Sequence, residues 1–108
     1  MTEFPTNGLD DVVHQRHRLG ILTITAEGKA EFGYLREALG LTAGNLSRHL
    51  SVLEDAGLVQ VEKGYKGRRP RTWVRITSRG RSALAGEMEI LAGLVRLRSA
   101  LRQPAESG

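Results

Sequence analysis

One short segment, LTAGNLSRHLSVLEDAGLV at residues 41 to 59, combines hydrogen-bonding side chains with a helical repeat. Leu46, Leu50 and Leu53 recur at i, i+4 and i+7, a spacing that predicts a helix with one buried face. The polar side chains between them are short or forked: Asn45, Ser47, Arg48 and His49. The segment therefore predicts a helix that packs on one side and meets a polar partner on the other.

The basic residues are concentrated in one stretch of the chain. Residues 1 to 62 contain five Lys/Arg against nine Asp/Glu, whereas residues 63 to 81 contain eight Lys/Arg and no acidic residue. A block of one sign is typical of a surface that binds a polyanion, either nucleic acid or an acidic membrane. The alternative is a basic loop that is merely solvated. This distribution is more informative than the net charge of +4.

Composition excludes several classes of protein. A length of 108 residues fits one domain. The absence of cysteine excludes a disulfide framework, thiolate zinc sites and thiol redox sensing. No transmembrane helix is expected, because no run of about 18 apolar residues occurs, and residues 1 to 11 lack the features of a secretory signal. A cytoplasmic, nucleoid-associated location is therefore expected, with no cofactor and no membrane partner.

The apolar spacing predicts three helices before the basic block, at residues 9 to 22, 32 to 39 and 43 to 56. Gly40 is expected to end the second helix, and Thr42 to cap the third. Because so few residues separate these two helices, they must cross steeply, and the small Ala38 is expected where they meet. AEGKAE, at 26 to 31, is interpreted as a loop.

Beyond the third helix the apolar period changes to alternation, which predicts two strands. Val59 and Val61 share one face of the first strand, and Val74 and Ile76 share one face of the second. KGYKGRRPR, at 63 to 71, is interpreted as a loop, because its glycines permit a turn and its proline cannot donate to a central ladder. The sequence therefore predicts a hairpin with a long basic tip.

A long final helix is predicted from Ser78, as its N-cap, to about Arg102. Its apolar residues form two stripes, and a helix that is apolar over so wide an arc usually meets a partner chain. The alternative is that the first helix folds back and covers both stripes. The predicted dimer interface comprises Leu84, Met88, Ile90, Leu91, Leu94, Val95, Leu97 and Leu101.

The order helix, short helix, tight turn, helix, hairpin, long helix resembles the winged helix-turn-helix regulators of the MarR and ArsR type. Five motifs carry this resemblance over about residues 9 to 98: L-x-x-A-L-G-L-T, N-L-S-R-H-L, L-x-x-A-G-L-V, R-R-P-R-T-W and I-T-S-R-G. The resemblance implies a mainly α fold with a small β-hairpin (α+β). It also implies four parts, a flexible arm at 1–8, a DNA-binding domain at 9–77, a dimerisation helix at 78–102 and a flexible tail at 103–108.

The polar face of the third helix is predicted to enter the major groove of DNA, which is about 12 Å wide and accepts one helix. Arg48 could bond guanine, or contact a phosphate or an acidic neighbour. Asn45 could bond adenine or complete the helix start, and His49 could bind DNA or pack half-buried. Gly44 would let the backbone approach DNA, or is simply tolerated. The predicted major-groove residues are Thr42, Gly44, Asn45, Ser47, Arg48 and His49.

The hairpin is predicted to be the wing of the fold. Arg68 and Arg69 are candidates for insertion into the flanking minor groove, because a narrow groove attracts arginine. Trp73 is expected either to stack near the DNA backbone or to cover the last helix. Arg79 and Arg81 extend the basic strip. Cations are slightly unfavourable at a helix N-terminus, and an external anion would compensate for this repulsion. The predicted wing and backbone contacts are Lys63, Lys66, Arg68, Arg69, Arg71 and Arg75.

Sensing and catalysis have little support in the sequence. His14 and His17, at i and i+3, could hold a metal from one helical face, but no metal site is predicted, because ordinary surface or interface histidines explain the pair better. An unidentified small-molecule effector could bind between Val13, Leu22 and the last helix. No arrangement of catalytic residues indicates an enzyme.

The sequence predicts a homodimeric, sequence-specific transcriptional regulator that binds an inverted repeat in double-stranded DNA. Repression is expected rather than activation, because no segment indicates an additional recruiting domain. Two alternatives remain, a general DNA-coating protein and a winged helix used for protein–protein contact. An RNA-binding protein would usually expose several aromatic residues, and only five are present.

Overall fold

The computed structural model describes residues 8–102 as five helices and three strands. The predicted tail and residues 1–7 of the predicted arm lie outside the described residues. This mixed architecture, in which a small sheet accompanies helices, confirms the predicted fold class. The elements are α1 (Gly8–His14), α2 (Arg16–Ala26), β1 (Ala30–Glu31), α3 (Phe32–Leu39), α4 (Ala43–Asp55), β2 (Val59–Lys66), β3 (Arg69–Ile76) and α5 (Ser78–Arg102).

The first predicted helix is two helices, so its prediction as one element was wrong. The chain breaks at Gln15, whose backbone is extended and whose side-chain oxygen accepts hydrogen bonds from the backbone N–H groups of His17 and Arg18, at 2.8 and 3.0 Å. This N-cap starts α2 in a new direction. The apolar spacing did not show the break, because both helices contribute residues to the same core.

The helix-turn-helix forms as predicted. Gly40 ends α3 in the left-handed conformation, with φ 65°, and the Thr42 hydroxyl accepts a hydrogen bond from the backbone N–H of Asn45 at 3.1 Å. Ala38, however, is exposed, so its predicted place between helices was wrong. Gly20 is the small residue at a helix contact, because a Cβ there would lie 2.8 Å from the Leu39 side chain of α3.

The sheet has the order β1-β3-β2, with antiparallel pairing throughout. Val59 pairs with Ile76 and Val61 with Val74, which places the four predicted inward residues on one face. β1 was not predicted, and its residues had been assigned to a loop. A strand of two residues is too short to show alternation, and only its pairing with β3 identifies it.

The wing is a longer hairpin with a tighter turn than predicted. β2 and β3 remain paired up to Lys66 and Arg69, so the turn consists of Gly67 and Arg68 rather than nine residues. Gly67, with φ 66°, supplies the positive φ that a two-residue turn requires at its first central position. Pro70 is tolerated within β3 because β1 is too short to pair with it and leaves that edge open.

The start of α5 is anchored to the end of the helix-turn-helix. The Thr77 hydroxyl accepts a hydrogen bond from the backbone N–H of Gly80 at 2.9 Å and donates one to the carbonyl of Gly57 at 2.7 Å. Thr77 is therefore the N-cap, and the prediction of Ser78 was wrong by one residue. Gly80 is buried against Leu58, whose carbonyl oxygen would lie 2.1 Å from a Cβ at that position.

The core is continuous from α1 to the start of α5. Leucines of α3 and α4 meet valines of the sheet and apolar residues of α2, all almost inaccessible to solvent. The buried apolar residues are Val13, Ile21, Leu22, Ala30, Leu35, Leu46, Leu50, Leu53, Leu58, Val59, Val74 and Ile76. Because this core holds both sides of the turn at 40–42, it fixes the angle at which α4 is presented.

The last helix extends well past this core. α5 has 25 residues, about 37 Å at 1.5 Å per residue, and the molecule measures 67 Å along its longest axis. Its first half packs on α1 and α2, whereas its second half is mostly exposed. Within residues 8–102, no helix combines the length and apolarity that crossing a membrane requires.

Candidate nucleic-acid interface

α4 presents opposite faces to the core and to solvent. Leu46, Leu50 and Leu53 are buried, as their spacing predicted. Five of the six predicted major-groove residues are exposed in the structure: Thr42, Gly44, Asn45, Ser47 and Arg48. The helix thus offers a polar surface with groups of several hydrogen-bonding types, which is the kind of surface that reads base edges.

The start of α4 is open to an incoming partner. Thr42 completes the helix cap, so Asn45 contributes only its backbone N–H there. At Gly44, no atom lies within 4 Å of the position that a Cβ would occupy. Arg48 is exposed, and among residues 11–102 no carboxylate lies within 4 Å of its guanidinium. Among the described residues, Asn45 and Arg48 therefore do not have the intramolecular side-chain roles that were the alternatives to binding, whereas the open space at Gly44 fits either interpretation.

His49 differs from the other five residues because it is half-buried. Its ring lies against that of His17 on α2, with 5.5 Å between ring centroids and 40° between ring planes. Burial lowers the pKa of His49, and the nearby Arg18, His17 and Arg48 lower it further. This position matches the half-buried alternative, and neither His17 nor Arg18 was predicted as part of this surface.

A groove of about 350 Å³ separates α4 from the sheet. Ser47 and Ser51, which are four residues apart on α4, line one wall, and Lys63 and Thr72 line the opposite wall. The Lys63 ammonium donates a hydrogen bond to the Thr72 hydroxyl at 3.3 Å, so both residues of this wall are joined. Ser51 was not predicted, although its spacing from Ser47 and Arg48 places it on the same exposed helix surface.

The charges of the wing fall into two groups. Lys66, Arg68 and Arg69 are exposed around the turn, and among the described residues none of them has a carboxylate within 4 Å. In contrast, two arginines of β3 are paired with carboxylates. Arg71 Nε lies 2.7 Å from Glu31 Oε2, and Arg75 Nε lies 3.3 Å from Oε1 of Glu62 on β2. The uncompensated positive charge is therefore concentrated at the tip.

Arg71 has a structural role that the sequence did not indicate. Its partner Glu31 belongs to β1, and Arg71 also donates a hydrogen bond to the carbonyl of Pro70 at 2.9 Å. Both members of the pair are largely shielded from solvent, with 33% and 19% of their side chains exposed. The pair joins the wing to β1, and this leaves Arg71 less available to a phosphate than its neighbours at the tip.

Trp73 is half-buried at the side of the sheet. The ammonium of Lys29 lies 4.8 Å from the centre of its ring, and Gly64 on β2 leaves room for the ring, because a Cβ there would lie 3.1 Å from Trp73. These neighbours belong to the segment before β1 and to β2, and none belongs to α5. Trp73 was expected to cover the last helix, but the contacts of its ring are with Gly64 of the sheet and with Lys29.

The basic residues at the start of α5 are exposed, but one of them also stabilises the fold. Arg81 donates a hydrogen bond to the carbonyl of Ala26 at 3.1 Å, which joins α5 to the end of α2. The Arg79 side chain passes close to Gly57, about 3.7 Å from where a Cβ would lie. Both side chains remain partly accessible beside the helix-turn-helix, and their contacts with DNA stay a prediction.

The two histidines considered for a metal lie on different helices. α1 ends at His14 and α2 begins after Gln15, so the i, i+3 argument from one helical face was wrong. His14 contacts Glu87 on α5, and His17 contacts His49 on α4. In the part of the chain that the structure describes, no three potential metal ligands come together.

The predicted dimer face on α5 is exposed in the single chain. Leu84 and Leu91 are half-buried. The other six predicted residues expose between 40% and 76% of their surface: Met88, Ile90, Leu94, Val95, Leu97 and Leu101. So large an apolar surface on one helix is typical of a face that meets a partner.

Comparisons with known proteins agree with this architecture. The profile of the winged helix DNA-binding domain family matches residues 17–95. A transcriptional regulator homologue from Pyrococcus horikoshii is 34% identical, and the match covers 86% of this chain and 90% of that one with a TM-score of 0.68. An uncharacterized protein of Methanocaldococcus jannaschii is 47% identical over 53 residues, which are 49% of this chain and 58% of that protein.

More distant solved structures share the fold. A regulator assigned to the MarR family from Enterococcus faecalis is 20% identical. This match covers 95% of this chain and 100% of that one, with a TM-score of 0.75. The homodimeric winged helix-turn-helix domain of a possible ArsR-family regulator from Mycobacterium bovis is 22% identical. This match covers 81% of this chain and 78% of that one, with a TM-score of 0.66. The chain therefore belongs to the winged helix DNA-binding domain family, and it shares its fold with these MarR- and ArsR-type structures.

Proposed function

We propose that this protein is a sequence-specific regulator of transcription that binds double-stranded DNA as a homodimer and acts as a repressor. The observation that carries the proposal is the exposed polar face of α4, which lies across a groove from a basic hairpin. α4 enters the major groove, and its first two turns meet base edges. The wing follows the adjacent backbone and minor groove.

Arg48 is the principal candidate for reading a base. It is exposed on α4, and the described residues offer it no competing carboxylate. A guanidinium can donate two parallel hydrogen bonds to O6 and N7 of guanine, a contact that contributes about 1–3 kcal/mol of discrimination. Asn45 and Ser47 present further donors and acceptors beside it, while Thr42 and Gly44 let the start of the helix approach the sugar-phosphate edge.

The wing supplies the sequence-independent part of binding. Lys66, Arg68 and Arg69 carry charge at the tip of a hairpin that the Arg71–Glu31 pair holds to the rest of the sheet. A charged tip on a well-anchored hairpin loses little conformational entropy on binding. Lys63, which is closer to α4, contacts the phosphates between the two grooves. Arg75, on the outer face of β3, adds to the positive electrostatic potential of this surface.

The homodimer is supported by the exposed apolar face of α5 and by the Mycobacterium bovis relative, which is homodimeric. A two-fold dimer presents two copies of α4, and successive major grooves on one side of DNA are about 34 Å apart. The operator is therefore expected to be an inverted repeat. A dimer that occupies two major grooves and the flanking minor grooves blocks access to a promoter, so repression is the proposed outcome.

The proposal is tested by fluorescence anisotropy with the duplex upstream of the protein's own gene and with a scrambled duplex, at 50 and 200 mM salt. We expect at least a hundredfold preference for one sequence that persists at 200 mM. If about six phosphates are neutralised, affinity for both duplexes falls roughly a thousandfold between the two salt concentrations.

A second candidate function is non-specific binding along DNA. The only observation that favours it is the positive charge at the wing tip. It predicts equal and salt-sensitive binding to both duplexes, and selection from a random-sequence pool would then recover no motif. A recovered motif would instead identify the operator. Absence of binding to any duplex at 50 mM salt would contradict both candidates and leave protein–protein contact as the use of the fold.

A further inference from the structure

Four basic side chains meet where the first turn of α2 passes α4. They are defined here as the α2–α4 cluster, which consists of His17, Arg18, Arg48 and His49. The two imidazole rings are in contact, with 5.5 Å between ring centroids. Arg18 follows His17 in sequence and Arg48 precedes His49, and both arginines bear electrostatically on His49. Residues from two helices thus bring positive charge to one place.

Within residues 11–102, the charge of this cluster has no carboxylate partner. Among residues 11–102, the carboxylate partners within 4 Å go to His14, Arg71 and Arg75, none of which belongs to the cluster. The guanidinium nitrogen Nε of Arg18 is buried and has no hydrogen-bond partner among the described residues. A buried donor without an acceptor is costly, and most proteins avoid one. The Nε–H group of Arg18 is therefore a donor that the described residues leave unsatisfied.

The position of the cluster at a helix N-terminus adds to its positive potential. The first turn of α2 contains Arg16, His17 and Arg18 and no acidic residue. The N-terminal end of a helix carries a partial positive charge, which disfavours cations and favours anions. The side chain of Gln15 satisfies the backbone N–H groups of His17 and Arg18 but adds no negative charge. An external anion would relieve this accumulation.

The cluster lies on the side of α4 that faces away from the wing. Residues four apart share a flank of a helix, so Asn45 and His49 form one flank, and Ser47 and Ser51 form the other. Ser47 and Ser51 line the groove toward Lys63 of the sheet, whereas His49 contacts α2. Basic groups therefore stand on both sides of the exposed face of α4. A helix in the major groove has a sugar-phosphate backbone on each side.

We infer that His17, Arg18 and His49 bind a backbone phosphate of duplex DNA on the side of α4 opposite to the wing. Arg18 supplies the permanent charge, and the two histidines donate additional hydrogen bonds when they are protonated. The inference rests on the proposed function, because it assumes that α4 enters the major groove. It assigns to His49 a phosphate rather than a base, and it adds His17 and Arg18 to the interface.

A phosphate at this site couples DNA binding to proton uptake. In the free protein, burial and the adjacent Arg18, His17 and Arg48 lower the pKa of His49. A bound phosphate opposes these effects, because a nearby anion favours the protonated imidazole. Affinity is therefore highest at low pH and decreases as the pH rises through the pKa of the bound state. Each unit by which DNA raises a histidine pKa gives about a tenfold change in affinity.

The first test measures the salt dependence of binding to the selected operator. Arg18→Gln removes one charge from each protomer of the dimer, so the slope of log K against log salt should become shallower by about 1.8. Arg18→Lys keeps the charge and should restore the slope. Arg102→Gln, which removes an exposed charge at the far end of α5, is the matched control and should leave the slope unchanged.

The second test measures affinity at pH 6 and pH 8. The chain has three histidines, and His14, outside the cluster, is the natural control. We expect wild type and His14→Gln to bind more tightly at pH 6, and we expect His17→Gln and His49→Gln each to show a smaller difference in log K between the two pH values. Circular dichroism confirms that each variant is folded at both pH values.

Two failures can be distinguished. If wild type prefers one duplex but Arg18→Gln keeps the full salt slope and the histidine variants keep the full pH dependence, the phosphate site is wrong and the proposed function stands. If wild type prefers no duplex and selection from a random-sequence pool recovers no motif, the proposed function itself is wrong. A loss of affinity in Arg18→Gln that Arg18→Lys does not restore would indicate a packing role and would also overturn the inference.

Discussion

His14 Nδ1 lies 2.7 Å from Glu87 Oε2, and this contact joins the last residue of α1 to the first half of α5. Glu87 is only 4% exposed, whereas the His14 side chain is 70% exposed. Glu89, two residues further along α5, is exposed. A carboxylate buried at this depth requires a hydrogen-bond donor, and His14 provides it from the outside.

This pair makes stability depend on pH. The hydrogen bond to Glu87 and the charge of that carboxylate raise the pKa of His14 above its ordinary value of 6.5. Because the folded-state pKa is raised, the stabilisation is fully present below pH 6.5 and is lost as the pH rises through the folded-state value. His14→Gln should therefore destabilise the protein more at pH 5.5 than at pH 9, as measured by urea denaturation.

His49→Gln is a control because its effect on stability should depend on pH in the opposite direction to that of His14→Gln. Burial lowers the pKa of His49, so wild type should lose stability relative to His49→Gln as the pH falls below 6.5. An equal effect of His14→Gln at both pH values would show that the contact with Glu87 contributes only a neutral hydrogen bond.

Close packing at the start of α5 should make Gly80→Ala destabilising. The new Cβ would lie 2.1 Å from the carbonyl oxygen of Leu58 and 2.7 Å from the Ile76 side chain. Backbone would have to move, and overpacking of this kind costs about 1–3 kcal/mol. Urea denaturation of the two proteins measures the difference in free energy of unfolding.

Gly33→Ala is the matched control for this change. Gly33 is within α3 and has no atom within 4 Å of the position of a Cβ. Alanine is favoured over glycine in a helix by up to about 1 kcal/mol, so this variant should be unchanged or more stable. Equal effects at the two positions would contradict the argument from the close approach of α5 to Leu58.

Replacement of Arg48 should reduce specificity rather than only affinity. Arg48→Ala is expected to cost about 1–3 kcal/mol for each half-site and to remove the preference at one base pair in each half of the operator. Competition with operators that carry single base-pair changes measures this preference. A uniform loss over all sequences would show that Arg48 contacts a phosphate instead.

Within the wing, Arg69 and Arg71 should behave differently, although they lie two residues apart. Arg69→Gln removes an uncompensated charge from each protomer and should make the salt slope of the dimer shallower by about 1.8. Arg71→Gln mainly breaks the pair with Glu31 and should change the slope less. Titrations at four salt concentrations compare them, and equal slopes would argue that DNA displaces Glu31 from Arg71.

The exposed apolar face of α5 should control assembly. Leu94→Asp places a charge in the predicted interface and should convert a dimer to a monomer, as measured by sedimentation equilibrium. Arg96→Asp introduces the same residue two positions away, on the opposite side of the helix, and should remain dimeric. Dissociation of both variants would mean that the aspartate disrupts α5 itself, and dissociation of neither would place the interface elsewhere.

The helix-turn-helix could be predicted from the sequence because its determinants are local. The leucine spacing of α4, the cap at Thr42 and the left-handed Gly40 are each set by residues within one or two turns. The buried and polar faces of α4 follow from the same period. The charge of the wing and the apolar face of α5 are also properties of single segments.

The wrong predictions concern contacts between distant segments. β1 is defined by pairing across more than 40 residues, and the wing is longer than predicted because β2 and β3 stay paired through Pro70, opposite an edge that β1 leaves free. The break at Gln15 depends on where α1 and α2 each find the core. None of these features has a periodic signal of its own.

The sequence by itself determined the order of the elements from α3 to α5, the polar face of α4 and the concentration of positive charge on the hairpin. Only the tertiary structure decided which charges are free, because it paired Arg71 with Glu31 and His14 with Glu87 and brought His17 against His49. The physical reason is that periodicity and capping act over a few residues, whereas the partner of a charge depends on how distant elements pack.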